Sequence, residues 1–333
     1  MRTRRVYHKH FSNPYVSPLR YPGGKRKLLP LVADLVERSG PVSLLVEPFA
    51  GGASVSIGLL EAGLATEIAL SDKDELVASF WKTVFSRNAA SFADLIACAQ
   101  VDLGEWRRLR NSSPRTDFER AYKCLFLNRT SFSGILHERA GPIGGQGQKS
   151  AYAIDCRFNR DRLASRILEL SRLRDRVLFV KRQDYWKTVD HVRNLLQSKR
   201  YAANGLLWYL DPPFFEKAET LYRYTFMDAG HLVLRHLLRE LEGRWVLSYD
   251  DVPQARKFYS QDLGFARVNL SYNARIDSKE RLTSSEIVVS NIIAQLREEG
   301  HPDIPKMGEI LSIRGLNKTP RCAPDSRTQK QVG

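Results

Sequence analysis

The run Leu206-Leu207-Trp208-Tyr209-Leu210, followed at once by Asp211-Pro212-Pro213-Phe214, constrains this chain more than any other stretch of it. An apolar segment of strand length stops in an acid, two prolines and an aromatic ring. Proline lacks the amide donor that a sheet ladder needs and restricts the residue before it, so the chain has to leave the sheet here. The exit presents a carboxylate, proline-flanked carbonyls and a flat ring at one strand end. Such a set suits an exocyclic amine on a planar base, with acceptors for the amine protons and a ring face for stacking. A strand followed by a Pro-Pro loop with Phe214 in the core is the plainer reading of the same residues.

Two further strand ends add chemistry. Leu44-Leu45-Val46-Glu47-Pro48-Phe49-Ala50-Gly51-Gly52-Ala53-Ser54-Val55 is a short apolar strand running into a glycine turn and then a helical pattern. Glycines there let the backbone approach a bound nucleotide closely. About twenty residues on, Glu67-Ile68-Ala69-Leu70-Ser71-Asp72 is a second strand ending in an acid, an offset that suits ribose hydroxyls. Upstream, Leu19-Arg20-Tyr21-Pro22-Gly23-Gly24-Lys25 is not a phosphate-binding P-loop, since it lacks that glycine spacing and the Ser/Thr after Lys.

Strand-like runs recur at Leu44–Glu47, Glu67–Leu70, Val177–Val180, Leu206–Leu210, Trp245–Ser248, Phe265–Leu270 and Glu286–Ser290. Helical patterns at Lys27–Arg38, Leu76–Phe85 and His231–Leu241 alternate with several of them, which predicts a parallel α/β sheet with helices on both faces. Between Arg87 and Asp175 the strand pattern gives way to helical segments at Phe92–Arg110, Phe118–Asn128 and Arg162–Leu173, with a glycine-rich loop expected to be mobile over Gly141–Gln148. The expected organisation is therefore a basic arm (1–16), a discontinuous catalytic domain (17–86 and 175–296), a helical insertion (87–174) and a polar tail without fixed structure (297–333).

In this order, these pieces resemble the Dam-type (D12 class) DNA adenine-N6 methyltransferases, whose pattern is aromatic-x-Gly-Gly-Lys, Glu-Pro-Phe-x-Gly, a strand-end Asp, an inserted recognition region and Asp-Pro-Pro-Tyr. The resemblance runs from about Pro18 to Asn291. Phe214 stands where that family usually has Tyr, and Ala53 where a last glycine is common. It implies a Rossmann-like sheet for S-adenosyl-L-methionine, closed by an antiparallel last strand, with an inserted helical target-recognition domain. The activity implied is methyl transfer to the N6 amine of an adenine flipped from double-stranded DNA.

By the same resemblance Asp211, Pro212, Pro213 and Phe214 are catalytic, and Tyr21, Lys25, Glu47, Phe49, Gly51, Asp72, Asp184 and Asp211 face the cofactor. Asn128, Arg129, Phe132 and Ser133, from a segment similar to Leu-Asn-Arg-x-x-aromatic-x-Gly, are expected on DNA with His137 and Arg139. Relatives that methylate GATC carry an arginine where this chain has His137, and their loop differs from Gly141–Gln148, which argues for another target. A cognate restriction endonuclease is a further expected partner, and a monomer is expected. An RNA adenine methyltransferase shares the Asp-Pro-Pro-aromatic logic, and a non-catalytic DNA-binding module is the reading from another class.

Charge and cysteines agree with this picture. The 52 Lys and Arg exceed the 37 Asp and Glu, a surplus of 15 that favours a polyanionic partner. Cys98, Cys124, Cys156 and Cys322 show no close spacing, so neither a zinc site nor a disulfide framework is indicated, and no metal is expected. No apolar run approaches the roughly 20 residues that span a bilayer, and no signal core follows the basic start, so a cytoplasmic protein without a membrane partner is expected.

Overall fold

In the computed structural model, all seven apolar runs form strands. The structure describes residues 11, 16–20, 23–215, 223, 224, 226–271, 283–301, 304 and 310–313. The strands are β1 (Val42–Glu47), β2 (Ala65–Asp72), β3 (Val177–Arg182), β4 (Leu206–Leu210), β5 (Arg244–Asp250), β6 (Phe265–Ser271) and β7 (Thr283–Ser290), with an eighth, β8 (Ile310–Ile313). They lie side by side in the order β3-β2-β1-β4-β5-β7-β6-β8. Neighbours among β1 to β5 are parallel, while β7 runs antiparallel between β5 and β6.

The described helices are α1 (Leu29–Ser39), α2 (Ser54–Glu61), α3 (Glu75–Val84), α4 (Ala89–Ala97), α5 (Leu103–Asn111), α6 (Asp117–Thr130), α7 (Arg160–Ser171), α8 (Tyr185–Gln197), α9 (Asp228–Glu240), α10 (Pro253–Tyr259) and α11 (Asn291–Glu298). Side chains alternate across a strand, and here both faces are covered. Leu45, Leu207 and Tyr209 join one core with α1, α2 and α11, whereas Leu44, Val46, Trp208 and Leu210 join another with α8, α9 and α10. Burial on both faces is why β4 reads as an unbroken apolar run. It also means that the helix after β1 and the helix after β4 leave to opposite sides, which opens a crevice between those strands at their carboxyl ends.

The insertion departs from expectation in three ways. It has no core of its own: α3 carries Phe80 and Trp81 into the cluster that includes Phe92, Leu125, Phe126 and Ile167. The expected single helix over Phe92–Arg110 is two, because the Asp102 side chain accepts from the Glu105 N–H at 2.8 Å and starts α5 afresh. The Gly141–Gln148 loop is tied down, with Phe132 N donating to Gly141 O at 2.9 Å and Ile143 N to Thr130 O at 2.8 Å. A fourth correction concerns the tail. Ile310–Ile313 pairs in parallel with Arg267–Leu270, because a short apolar stretch inside a polar segment satisfies the open edge of β6.

Candidate active site

Four acids gather at the carboxyl edge of the sheet because four parallel strands end there. Glu47 and Asp72 are the last residues of β1 and β2, Asp211 follows β4, and Asp184 caps α8 just beyond β3. They line one cleft together with Lys25, Phe49, Gly51 and Pro213. Tyr21 lies outside the described residues.

The glycine turn explains itself residue by residue. Gly51 sits at φ +43, and its N–H donates to Asp72 Oδ2 at 2.8 Å, while its carbonyl accepts from the Trp81 indole at 2.9 Å. Asp72 Oδ1 accepts from the Asp74 N–H at 2.8 Å, so this acid clasps the turn as well as facing the cleft. Burial pushes the Asp72 carboxyl up to about 7, and the adjacent Asp74 charge adds to it. Burial likewise pushes Glu47 up to about 8, against a hydrogen bond from Ser56. Both acids are poised to ionise when a ligand supplies donors or positive charge.

Aromatic rings form the opposite wall. Phe49 stacks on Tyr185 with centroids 5.3 Å apart, and Phe226 meets Phe49 edge-on at 5.7 Å and Tyr185 at 5.5 Å. Nearby, Arg223 donates to Asp74 Oδ1 at 2.8 Å, and Lys73 pairs with Asp184 at 3.0 Å. Sequence reasoning missed Tyr185, Phe226 and Arg223. The Asp184-Tyr185 pair at a strand end was a usable signal, whereas Phe226 and Arg223 line the cleft from positions that no local pattern in the sequence marks. Among the described residues, no cluster of His, Cys, Asp or Glu has metal-site geometry, and no helix is long and apolar enough to cross a membrane.

Lys25, expected to face a cofactor, is held among acids and an aromatic ring. It is 3% exposed, its ammonium lies 3.1 Å from Asp211 Oδ1 and 3.7 Å from Glu286 Oε2, and it stands 4.7 Å over the Phe214 ring. Burial raises the Asp211 carboxyl, and Lys25 opposes that rise. Phe214 packs its ring tip on Gly23, where a β-carbon would come within 2.3 Å of Cζ. Pro212 is buried and Pro213 half-buried at the turn out of β4. Glu286 and Ser248 belong to this corner, yet the sequence offered them only as strand residues.

The insertion residues divide. Asn128 and Arg129 are buried, which corrects their expected place on DNA. Asn128 exchanges hydrogen bonds with the Arg20 backbone (2.6 and 3.2 Å) and donates to Gly134 O at 2.8 Å, while Arg129 donates to Pro18 O. They fasten the N-terminal segment to α6, because a buried amide or guanidinium must be fully bonded. Phe132, in contrast, is 64% exposed, and Ser133 and Arg139 are also exposed, with His137 half-buried between them. Ser133 adopts φ +54. Gly134 at φ +76 has no alternative, since a β-carbon there would lie 2.0 Å from Arg20 O.

The strand order, the antiparallel β7 and the acid-lined crevice define a Rossmann-like methyltransferase. The sequence profile of the D12 class N6 adenine-specific DNA methyltransferases matches residues 21–276, and the chain belongs to that family. It is thus an adenine-specific methyltransferase. No curated protein matches the chain. Among solved structures, a protein from Pyrococcus horikoshii described as a candidate RNA methyltransferase is similar at 14% identity and a TM-score of 0.32, over 85% of this chain and 91% of that one. That similarity is too distant to bear on the substrate.

Proposed function

We propose that the chain transfers a methyl group from S-adenosylmethionine to the exocyclic N6 amine of an adenine flipped out of double-stranded DNA. The observation that carries this reading is Asp211, a strand-end acid paired with Lys25 in the same cleft as Glu47 and Asp72. The cleft fits such a cofactor: Asp72 and Glu47 offer acceptors for hydroxyls and an ammonium, and Phe49, Tyr185 and Phe226 offer ring faces for an adenine. When bound, the cofactor supplies a methyl group on a positively charged sulfur. The adenine amine would take that methyl group and give up one proton to water.

The residues of this chain provide positioning and charge. The Asp211 carboxylate and the Pro212 carbonyl accept hydrogen bonds from the amine, which directs its lone pair toward the methyl. Phe214 stacks on the base. The target nitrogen is out of reach inside a duplex, so the base leaves the stack, and the exposed ring of Phe132 wedges into the gap. Ser133, His137 and Arg139 flank that ring and meet the nucleic acid. Between residues 87 and 175, 16 Lys and Arg stand against 10 Asp and Glu, a surplus suited to phosphates.

The test is to express the chain in a host without adenine methylation, map modified adenines by single-molecule sequencing, and assay matched DNA and RNA with labelled cofactor. N6-methyladenine in one DNA sequence context is expected. Label in RNA alone, or in neither polymer, overturns the reading.

A further inference from the structure

We propose that Ser248 and Glu286 are positioning residues that divide the labour of the two Asp211 oxygens, holding Oδ1 so that Oδ2 is the one presented to the target amine. The inference rests on the reading of Asp211 as the acceptor of that amine. Ser248, on the neighbouring strand β5, is fully buried and donates to Asp211 Oδ1 at 3.1 Å. Lys25 reaches the same oxygen at 3.1 Å. Tyr209, also buried, lies with its hydroxyl 3.0 Å from Ser248 Oγ. Since the Ser248 proton goes to a carboxylate, the Tyr209 hydroxyl is the donor to Ser248, and the chain runs Tyr209 to Ser248 to Asp211.

On the other side, Glu286 of β7 stands 3.7 Å from Lys25 and keeps that ammonium between two carboxylates. A buried serine and a buried glutamate are costly in a sheet core unless bonded; here Ser248 donates directly to Asp211 Oδ1, and Glu286 faces the lysine that reaches the same oxygen. Connected buried polar groups select a single side-chain arrangement. Two donors on Oδ1 restrain the Asp211 side chain, and in this arrangement the second oxygen would be the one offered to the cleft that the residue lines. The titratable groups around it are Lys25 from the turn before α1, Glu47 from β1, Tyr209 from its own strand, Tyr249 from β5 and Glu286 from β7.

The experiment measures single-turnover methyl transfer to plasmid DNA from a methylation-free host, across pH, for wild type, Asp211→Ala, Ser248→Ala, Ser248→Thr and Glu286→Gln. Melting temperature and S-adenosylhomocysteine affinity are recorded for each. Ser248→Ala should lose about 10- to 100-fold in rate, the worth of a hydrogen bond to a charged group, with melting and cofactor-product affinity unchanged. Ser248→Thr should restore most of the rate. The acid limb of the rate should move to higher pH in Ser248→Ala, which loses a donor favouring the carboxylate. It should move to lower pH in Glu286→Gln, which loses a charge facing the same lysine. Wild-type rates and profiles in both variants beside an inactive Asp211→Ala overturn the proposal alone. A loss in Ser248→Ala that tracks melting and resists Ser248→Thr does the same. An active Asp211→Ala overturns the role of Asp211 itself, and the positioning with it.

Discussion

Ala53 caps α2 at φ 47 and ψ 29, a left-handed conformation that strains any residue with a β-carbon. That is the physical reason a glycine is common at this place in the family pattern. Ala53→Gly should therefore stabilise the fold by about 1 kcal/mol, seen as a higher urea midpoint at unchanged slope; an unchanged or lower midpoint would show that packing of the buried methyl outweighs the strain. Phe214 is a different case, because its position depends on Gly23 as well as on its own ring. Phe214→Ala should lower the methyl-transfer rate about 5- to 150-fold, the worth of one base stack. Gly23→Ala should lose a comparable amount, since its new methyl would fall 2.3 Å from the ring tip. Full activity of both variants on duplex DNA would remove the stacking role from Phe214.

At the level of elements, α6 and the turn after it do two jobs from adjacent residues. The buried face, through Asn128, Arg129 and Gly134, holds the segment at 18–20 that leads into Lys25, and the exposed turn carries Phe132. Asn128→Ala strands the Arg20 N–H and Gly134 O, and should cost about 1–3 kcal/mol of stability. Phe132→Ala should leave the unfolding midpoint alone while weakening duplex binding in a gel-shift titration. The reverse pattern would mean that Phe132 supports the fold and Asn128 the nucleic acid. Helix and strand periodicity found these elements, but it could not tell which side of α6 would be covered. Nothing in Leu127-Asn128-Arg129 marks the amide and guanidinium as buried until Pro18 and Arg20 lie against them.

For the whole molecule, burial of the acid edge links ligand binding to protons. Glu47 is raised to about 8, and Asp72 and Glu286 to about 7. A carboxyl raised above its unfolded value favours the fold while protonated, and that contribution is lost as pH climbs through the folded pKa. The ligand-free chain should therefore melt at a lower temperature at pH 8.5 than at pH 6. S-adenosylhomocysteine, which brings hydroxyls and an ammonium to these acids, should release protons on binding near pH 6.5. Calorimetry in two buffers of different ionisation enthalpy reads that release directly, and identical enthalpies in both would refute it.

Local chemistry is what the sequence determined unaided. The run Leu206–Leu210 had to be a strand, Asp211-Pro212-Pro213 had to end it, and the glycines after Phe49 had to turn the chain out of β1. Those outcomes follow from amide donors, allowed dihedrals and apolar runs, which act over a few residues. Tertiary structure alone decided that Lys25 and Ser248 converge on Asp211 with Glu286 beside the lysine, that Arg223 and Phe226 line the acid-edged cleft, and that Ile310–Ile313 completes the edge of β6. Each of those contacts joins segments far apart in the chain. Their existence depends on strand order and on which face each element buries, and neither of these is encoded in any single window of residues.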